Sequence, residues 1–302
     1  MNIYDLIIIG AGPAGITASV YAARQRLKFL VLTMDIGGQA AWSGDIENYT
    51  GYQFITGPEL AGKFEEHMRK FDIDVRQNEE VLEVKKTGDI IKVKTSNGIY
   101  EAKSVIIASG KRSRELNVIG EKELKNRGLT YCATCDGPLF KGRDVAVIGG
   151  GNSALDATLQ LIKIVNHIYI INNTPQIGGD NIMREKIIAS NIVTVMNNSV
   201  VTAIVGEKFV EGIRIKTEGK EKTVSVTGVF VEVGLTPNAE FVRDVEKNEL
   251  GEVKVNCKNE TNISGVFAAG DVTNVPEKQI VVAAGEGAKA LLSVFKYLAH
   301  ML

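Results

Sequence analysis

From Tyr4 to Ile9 the chain reads Tyr-Asp-Leu-Ile-Ile-Ile, an almost unbroken apolar run enriched in β-branched residues. No regular polar alternation interrupts it, so both faces need cover, and the run predicts a buried parallel strand. An alanine-rich stretch, Ile16 to Gln25, predicts a helix directly after it. A second strand is expected over Lys28–Leu32 and a helix around Pro58–Phe71. Segments 81–86, 90–95 and 99–102 alternate apolar with polar residues and predict a β-meander beside the parallel sheet. Val105–Ser109 predicts another buried strand, ending at Gly110. The pattern then repeats: strand Asp144–Ile148, helix Leu155–Ile164, strand Ile168–Ile171, and a second meander over 201–205, 212–216 and 223–226. Apolar strands are expected at Gly228–Gly234 and 265–271, and a long helix from Ile280 to Leu302.

The turns between strand and helix carry chemistry. Gly10-Ala11-Gly12-Pro13-Ala14-Gly15 is GxGxxG placed between a strand and a helix, the context a dinucleotide fingerprint requires. Gly10 permits the tight turn, Gly12 admits a diphosphate, and Gly15 lets helix and strand pack closely. Free N–H groups at the helix start then face the diphosphate. An acidic residue is expected about 20 residues on, to hold ribose hydroxyls. Asp35 is the candidate, with a solvated loop carboxylate as the alternative; Gly37-Gly38-Gln39 follows at once and can supply backbone contacts.

Gly149-Gly150-Gly151-Asn152-Ser153-Ala154 is a second fingerprint, GxGxxA, in the same setting. Two such units are far more specific than one and predict two dinucleotides, one a flavin and one a nicotinamide; a duplicated fold with one vestigial site is the alternative. The residues after the matching second strand, Asn172-Asn173-Thr174-Pro175-Gln176, include no arginine for a 2′-phosphate and no acid for a ribose diol. Asn172 is the candidate for the diol, and NADH is favoured over NADPH.

Between the fingerprints lies Tyr131-Cys132-Ala133-Thr134-Cys135-Asp136-Gly137-Pro138. Two cysteines at this spacing interconvert between disulfide and dithiol and so carry two electrons, one sulfur attacking as thiolate and the other resolving. Asp136 stands where a carboxyl can exchange the accompanying proton. Half of a zinc site is an alternative, but it needs further ligands, and Cys257, His67, His167 and His300 are scattered. Two incidental core cysteines are the other. No metal is expected.

Composition narrows the class. A chain of 302 residues, 44% apolar and 24% charged, suits two globular domains. A net charge of −1 points to neither a nucleic-acid nor a membrane surface. The N-terminus has no basic leader, no stretch reaches a membrane span, and three cysteines suggest a reducing cytoplasm with a catalytic pair. Gly270-Asp271 ends a strand, and its carboxylate can hold sugar or ribityl hydroxyls; a turn cap is the alternative. Trp42 reads most simply as a core or interface aromatic, with stacking near a flavin as the second possibility. Cys257 reads as a small buried apolar residue, and Glu286 with Lys289 as a solvated face.

These motifs together resemble the low-molecular-weight thioredoxin reductase family over nearly the whole length. The glycines at 10–15, Gly37-Gly38-Gln39, Glu47-Asn48-Tyr49, Ala-Ser-Gly at 108–110, the cysteine motif, Gly149–Ala154, Ala268-Ala269-Gly270-Asp271 and Lys278-Gln279-Ile280 stand in the family's order. The likeness is greatest to the flavoprotein component of alkyl hydroperoxide reductase, apart from that component's N-terminal thioredoxin-like domain. It rests on Cys135–Gly142 and on the run from Gln279 to Ala290. The resemblance implies an α/β protein of two Rossmann-like dinucleotide-binding domains, three-layer ββα, each a parallel sheet plus a β-meander. FAD is implied at residues 1–114 and 245–302, the nicotinamide nucleotide and redox disulfide at 115–244. The implied FAD contacts are Gly10, Gly12, Pro13, Ala14, Gly15, Gly38, Gln39, Asn48, Gly110, Gly270, Asp271, Gln279 and Ile280; those for the nicotinamide are Gly149, Gly151, Asn152, Ser153, Ala154 and Asn172. In the family Asp136 is the acid–base group, Cys135 lies nearer the flavin, and Cys132 attacks a thioredoxin- or glutaredoxin-like partner. Homodimers and two domain orientations are usual. The family's His-Arg-Arg and later Arg are replaced here by Asn172, Asn173, Thr174 and Gly178. That departure keeps reduced ferredoxin open as donor. A reductase without a thiol exit, and a non-enzymatic redox sensor, are the rival readings; the cysteine pair counts against the first, and turnover with a thioredoxin-like protein separates the second.

Overall fold

In the computed structural model, which describes residues 3–301 apart from Gly44 and Glu47 and gives Asp45, Thr134 and Cys135 by backbone alone, the chain divides into two units. One comprises Met1–Arg112 with Thr236–Leu302, the other Ser113–Leu235.

In the first unit the N-terminal apolar run forms the strand Tyr4–Ala11 at the centre of a seven-stranded sheet. It pairs in parallel with Phe29–Ile36 on one side and Ile99–Ile107 on the other. Asp74–Arg76 and Val266–Ala268 extend the parallel part. Successive residues point to opposite faces, so one run supplies two cores. Leu6 and Ile8 pack with the helices Pro13–Arg24 and Ile280–Ala299, whereas Ile7 and Ile9 pack with Val84, Ile91 and Val93 of the meander.

The meander (Val81–Thr87, Ile90–Thr95) joins the parallel sheet through a single strand, Ile99–Ile107, where the sequence pattern suggested two. Lys103 and Ser104 do not break it. The pattern changes from mixed to fully buried because the strand passes from a half-covered antiparallel ladder into a parallel sheet covered on both faces. Residues 236–244, grouped by the sequence with the middle domain, belong to the first unit, since Ala239 and Val242 are buried in the cluster around Ile7 and Ile9.

The second unit repeats the plan. Five parallel strands run in the order Leu129–Thr130, Gly228–Val231, Asp144–Ile148, His167–Ile171, Val193–Met196. Val145 and Val147 face the helices Asn152–Leu161 and Asn181–Ile188. Ala146 and Ile148 face the antiparallel meander Ser199–Val205, Gly212–Thr217, Lys220–Val224. Among the described residues no helix is long and apolar enough to cross a membrane.

Two side chains take places other than those expected. Glu286 is buried rather than solvated: Asn259 Nδ2 donates to its carboxylate, and Lys289 pairs with it at 2.7 Å. Helix Ile280–Ala299 is pressed so closely on the first helix that a Cβ on the next residue, Gly287, would lie 2.0 Å from the Ala14 carbonyl oxygen. Cys257 is an exposed free thiol, because in its turn the buried place is taken by Asn259.

Candidate functional site

The first fingerprint opens a cleft of about 770 Å³ at the C-terminal end of the central strand. Gly10 has φ +104°, and a Cβ there would lie 2.3 Å from the Ala108 carbonyl oxygen. A Cβ on Gly15 would lie 1.9 Å from the Gly10 carbonyl oxygen, so this glycine sets the helix directly on the turn. Gly12 differs. Its backbone is extended, and no protein atom comes nearer than 4.0 Å to where its Cβ would stand. Packing does not demand glycine at this position, and the space above it is open to the cleft. Gly12 also begins helix Pro13–Arg24 without any side-chain cap, leaving the first N–H groups to an anion.

Gly10, Gly12, Pro13, Ala14, Gly38, Gln39, Gly110, Gly270, Asp271, Gln279 and Ile280 all line this cleft, as does Asp35. Gly15 lies behind the turn. Asn48 acts at one remove, donating through Nδ2 to Gln279 Oε1 at 3.0 Å. Trp42 is no core residue: it is 54% exposed and lines the cleft. Sequence reasoning missed a cluster at this cleft, where Lys111 and Lys278, which line it, bind the buried Glu252 at 2.8 and 3.0 Å. Burial alone would raise the Glu252 carboxyl, but hydrogen bonds from Lys111, Asn248 and Lys278 outweigh it and bring it to about 2. Asp271, also in the cleft, is raised by burial, with Lys278 and Lys111 opposing. No described donor reaches its carboxylate, which leaves it able to accept a hydrogen bond from the cleft. An anion-binding helix start, an open glycine and a carboxylate in want of donors fit the diphosphate and polyol of FAD.

The second cleft, about 440 Å³, is lined by Gly149, Gly150, Gly151, Asn152 and Ser153, while Ala154 is buried beneath it. Gly151 begins helix Asn152–Leu161, again uncapped, with open space at its Cβ position. Asn172, expected on a ribose diol, is turned to another task. It is buried, its Nδ2 donates to Thr174 O at 3.0 Å and Asn197 Oδ1 at 2.8 Å, and its Oδ1 accepts from Thr174 Oγ1 at 2.9 Å. A Cβ on Gly150 would lie 2.3 Å from that Oδ1, so Asn172 props the glycine turn from below. Glu232, which the sequence did not single out, also lines this cleft.

Cys132 is held in a disulfide; the Cys135 side chain lies outside the described residues. The buried Thr130 was likewise not foreseen. Its Oγ1 accepts from the Cys132 N–H at 3.1 Å and donates to Asp136 Oδ2, so one hydroxyl ties the cysteine backbone to the carboxylate. Tyr131 anchors the other flank, its hydroxyl donating to Glu121 Oε1 at 2.8 Å. That oxygen also accepts from the Leu116 N–H at 2.7 Å. Burial, then the bond to Glu121, raise the Tyr131 phenol well above its ordinary range. Beyond the motif, Phe140 stacks edge-on against Phe230, 5.2 Å between centroids, and covers Gly228. The loop is thereby fixed to the sheet at both ends.

The family model for pyridine nucleotide-disulphide oxidoreductases matches residues 4–287. The chain is 40% identical over 299 residues to the F component of alkyl hydroperoxide reductase from Staphylococcus aureus (strain MSSA476), covering 98% of this chain and 59% of that protein. It thus spans well under two thirds of the length of the curated relatives it matches. Two solved structures match over nearly their whole length. Lactococcus lactis thioredoxin reductase superposes with TM-score 0.89 at 35% identity, covering 98% of this chain and 99% of that one. The T. acidophilum thioredoxin reductase gives TM-score 0.87 at 39% identity, covering both chains completely (100% and 100%). On these matches the chain belongs to the pyridine nucleotide-disulphide oxidoreductase family, in its low-molecular-weight thioredoxin reductase branch.

Proposed function

We propose that the chain is an FAD-dependent thioredoxin-disulfide reductase. Electrons from NADH, in preference to NADPH, leave through Cys132 and Cys135 to the disulfide of a thioredoxin- or glutaredoxin-like protein. The observation that carries this reading is the Cys132 disulfide with the Asp136 carboxylate tied to it through Thr130. Family membership implies FAD and a nicotinamide donor.

When bound, the flavin supplies hydride acceptance from a nicotinamide and two-electron delivery to a disulfide. The chain's residues do the rest. Gly12 and the start of helix Pro13–Arg24 receive the diphosphate, and Asp271 accepts a hydroxyl. Reduction of the intrachain disulfide takes two electrons and two protons, and the Asp136 carboxyl is the group assigned to exchange a proton with the sulfurs. The Cys132 thiolate then attacks the partner's disulfide; that S–S bond breaks, a mixed disulfide forms, and the partner's departing sulfur takes a proton. Cys135 displaces the second partner sulfur and restores the intrachain disulfide. A cytoplasmic homodimer belongs to the same reading, and sedimentation of the flavoprotein tests the dimer.

The preference for NADH rests on charge: among the described residues no lysine or arginine lines the second cleft, and none occurs in the sequence over 172–178. The same lack favours a second reading, in which reduced ferredoxin is the donor. Anaerobic stopped-flow reduction of the flavin by NADH, NADPH and reduced ferredoxin decides between them. Thiol exit is refuted if the Cys132→Ser/Cys135→Ser double variant still reduces a thioredoxin.

A further inference from the structure

Among the described residues lining the second cleft, Glu232 is the single ionisable side chain. It follows the strand Gly228–Val231, which is paired with Asp144–Ile148, the strand that carries the glycine turn. Its backbone closes against that turn: a Cβ on Gly149 would lie 2.2 Å from the Glu232 carbonyl oxygen. The carboxyl therefore stands in the same small cleft as the uncapped start of helix Asn152–Leu161, where a diphosphate has to sit. No lysine or arginine lines the cleft to offset a second negative charge. An ionised carboxylate and a doubly charged diphosphate repel in such a space. A neutral carboxyl has an O–H to donate.

We propose that the cleft takes up its dinucleotide with Glu232 protonated, so that binding draws a proton from solvent and weakens as the pH rises. This rests on reading the cleft as the nicotinamide site. In the free protein burial, and then the negative charge of Asp156, already raise Glu232 to about 8. Asp156 acts from helix Asn152–Leu161. The other walls, at Leu116, Ile171, Asn173 and Ser199–Val201, bring no charged side chain. Arg114 donates its backbone N–H to the Gly234 carbonyl at 2.9 Å, but it and Glu115 are exposed and do not line the cleft.

The sign follows from linkage. A bound diphosphate raises Glu232 further, so affinity is full below about pH 8 and declines above it, by up to about tenfold per pH unit. The test is isothermal titration of the oxidised flavoprotein with NAD⁺, a non-reducing probe, from pH 6.5 to about 9.5, in buffers of different protonation enthalpy. Wild type is expected to take up a growing fraction of one proton above pH 8, with Kd rising in step. Glu232→Gln is expected to bind with a flat pH profile and no proton uptake. If wild type binds NAD⁺ without a pH dependence, or Glu232→Gln keeps the same slope, the inference is overturned and the nicotinamide reading survives. If NAD⁺ does not bind at any pH, and NADH does not bind the dithionite-reduced protein, both are overturned.

Discussion

Gly12 and Gly15 belong to one fingerprint, yet the structure assigns them opposite reasons for being glycine, and alanine at each separates the two. At Gly12 the backbone has φ −80° and ψ −173°, a region open to alanine, and the nearest described atom to the added methyl, outside the adjoining residues, would be the Gly37 carbonyl oxygen at 4.0 Å. Removing a glycine's freedom from the unfolded chain stabilises by roughly 0.4–1 kcal/mol. The methyl would instead project into the cleft, and overpacking a bound diphosphate costs about 1–3 kcal/mol, or roughly 5- to 150-fold in FAD affinity. At Gly15 alanine is the better helix former by about 1 kcal/mol. Its Cβ, however, would lie 1.9 Å from the Gly10 carbonyl oxygen, a backbone atom that cannot swing aside. The helix must then lift off the turn, at a net cost of about 1–3 kcal/mol to the fold before any ligand binds. Flavin-stripped variants unfolded in urea and titrated with FAD by fluorescence read both quantities. Gly12→Ala should be at least as stable as wild type and bind FAD weakly; Gly15→Ala should have a lowered urea midpoint. Unchanged FAD affinity in Gly12→Ala, or undiminished stability in Gly15→Ala, would refute the reasoning.

Further outcomes follow from the charged and polar groups. Glu252→Gln should cost about 3 kcal/mol near neutral pH by leaving the Lys111 and Lys278 ammonium groups without their shared partner. Because the native carboxyl is depressed to about 2, that contribution is present above its ordinary value of 4.5 and is lost as pH falls towards 2, which acid titration of stability would show. Glu232 has the opposite sign: raised from 4.5 to about 8, it penalises the fold progressively as pH rises across that interval. Glu232→Gln should therefore gain stability over wild type with increasing pH, measured as urea midpoints from pH 4 to about 9. Thr130→Val should slow thioredoxin reduction by roughly 10- to 100-fold, since it removes the hydroxyl that the Cys132 N–H and the Asp136 carboxylate share, at about 1–3 kcal/mol. Thr130→Ser should restore the rate and the pH profile together; a mere packing defect would not be rescued in this way.

The strand–glycine turn–helix units were legible in the sequence because they are local: an apolar run, a tight turn and a helix start follow from the sterics of consecutive residues. Both meanders were legible by their period of two. What contacts decide was not legible. Lys111 and Glu252 lie 141 positions apart, and nothing near either announces the other. Asn172 has the chemistry of a ribose ligand, but Asn197 and Thr174 occupy its amide and Gly150 rests on it. Glu286 and Cys257 exchanged their expected places, the acid going inside with Asn259 and the thiol outside, since exposure depends on what packs opposite. Local pattern settled which segments become strands and helices and where the glycine turns open clefts. Only the folded chain determined which polar groups are already taken and which are left open to a cleft, because hydration and charge at a side chain are set by neighbours far away in sequence.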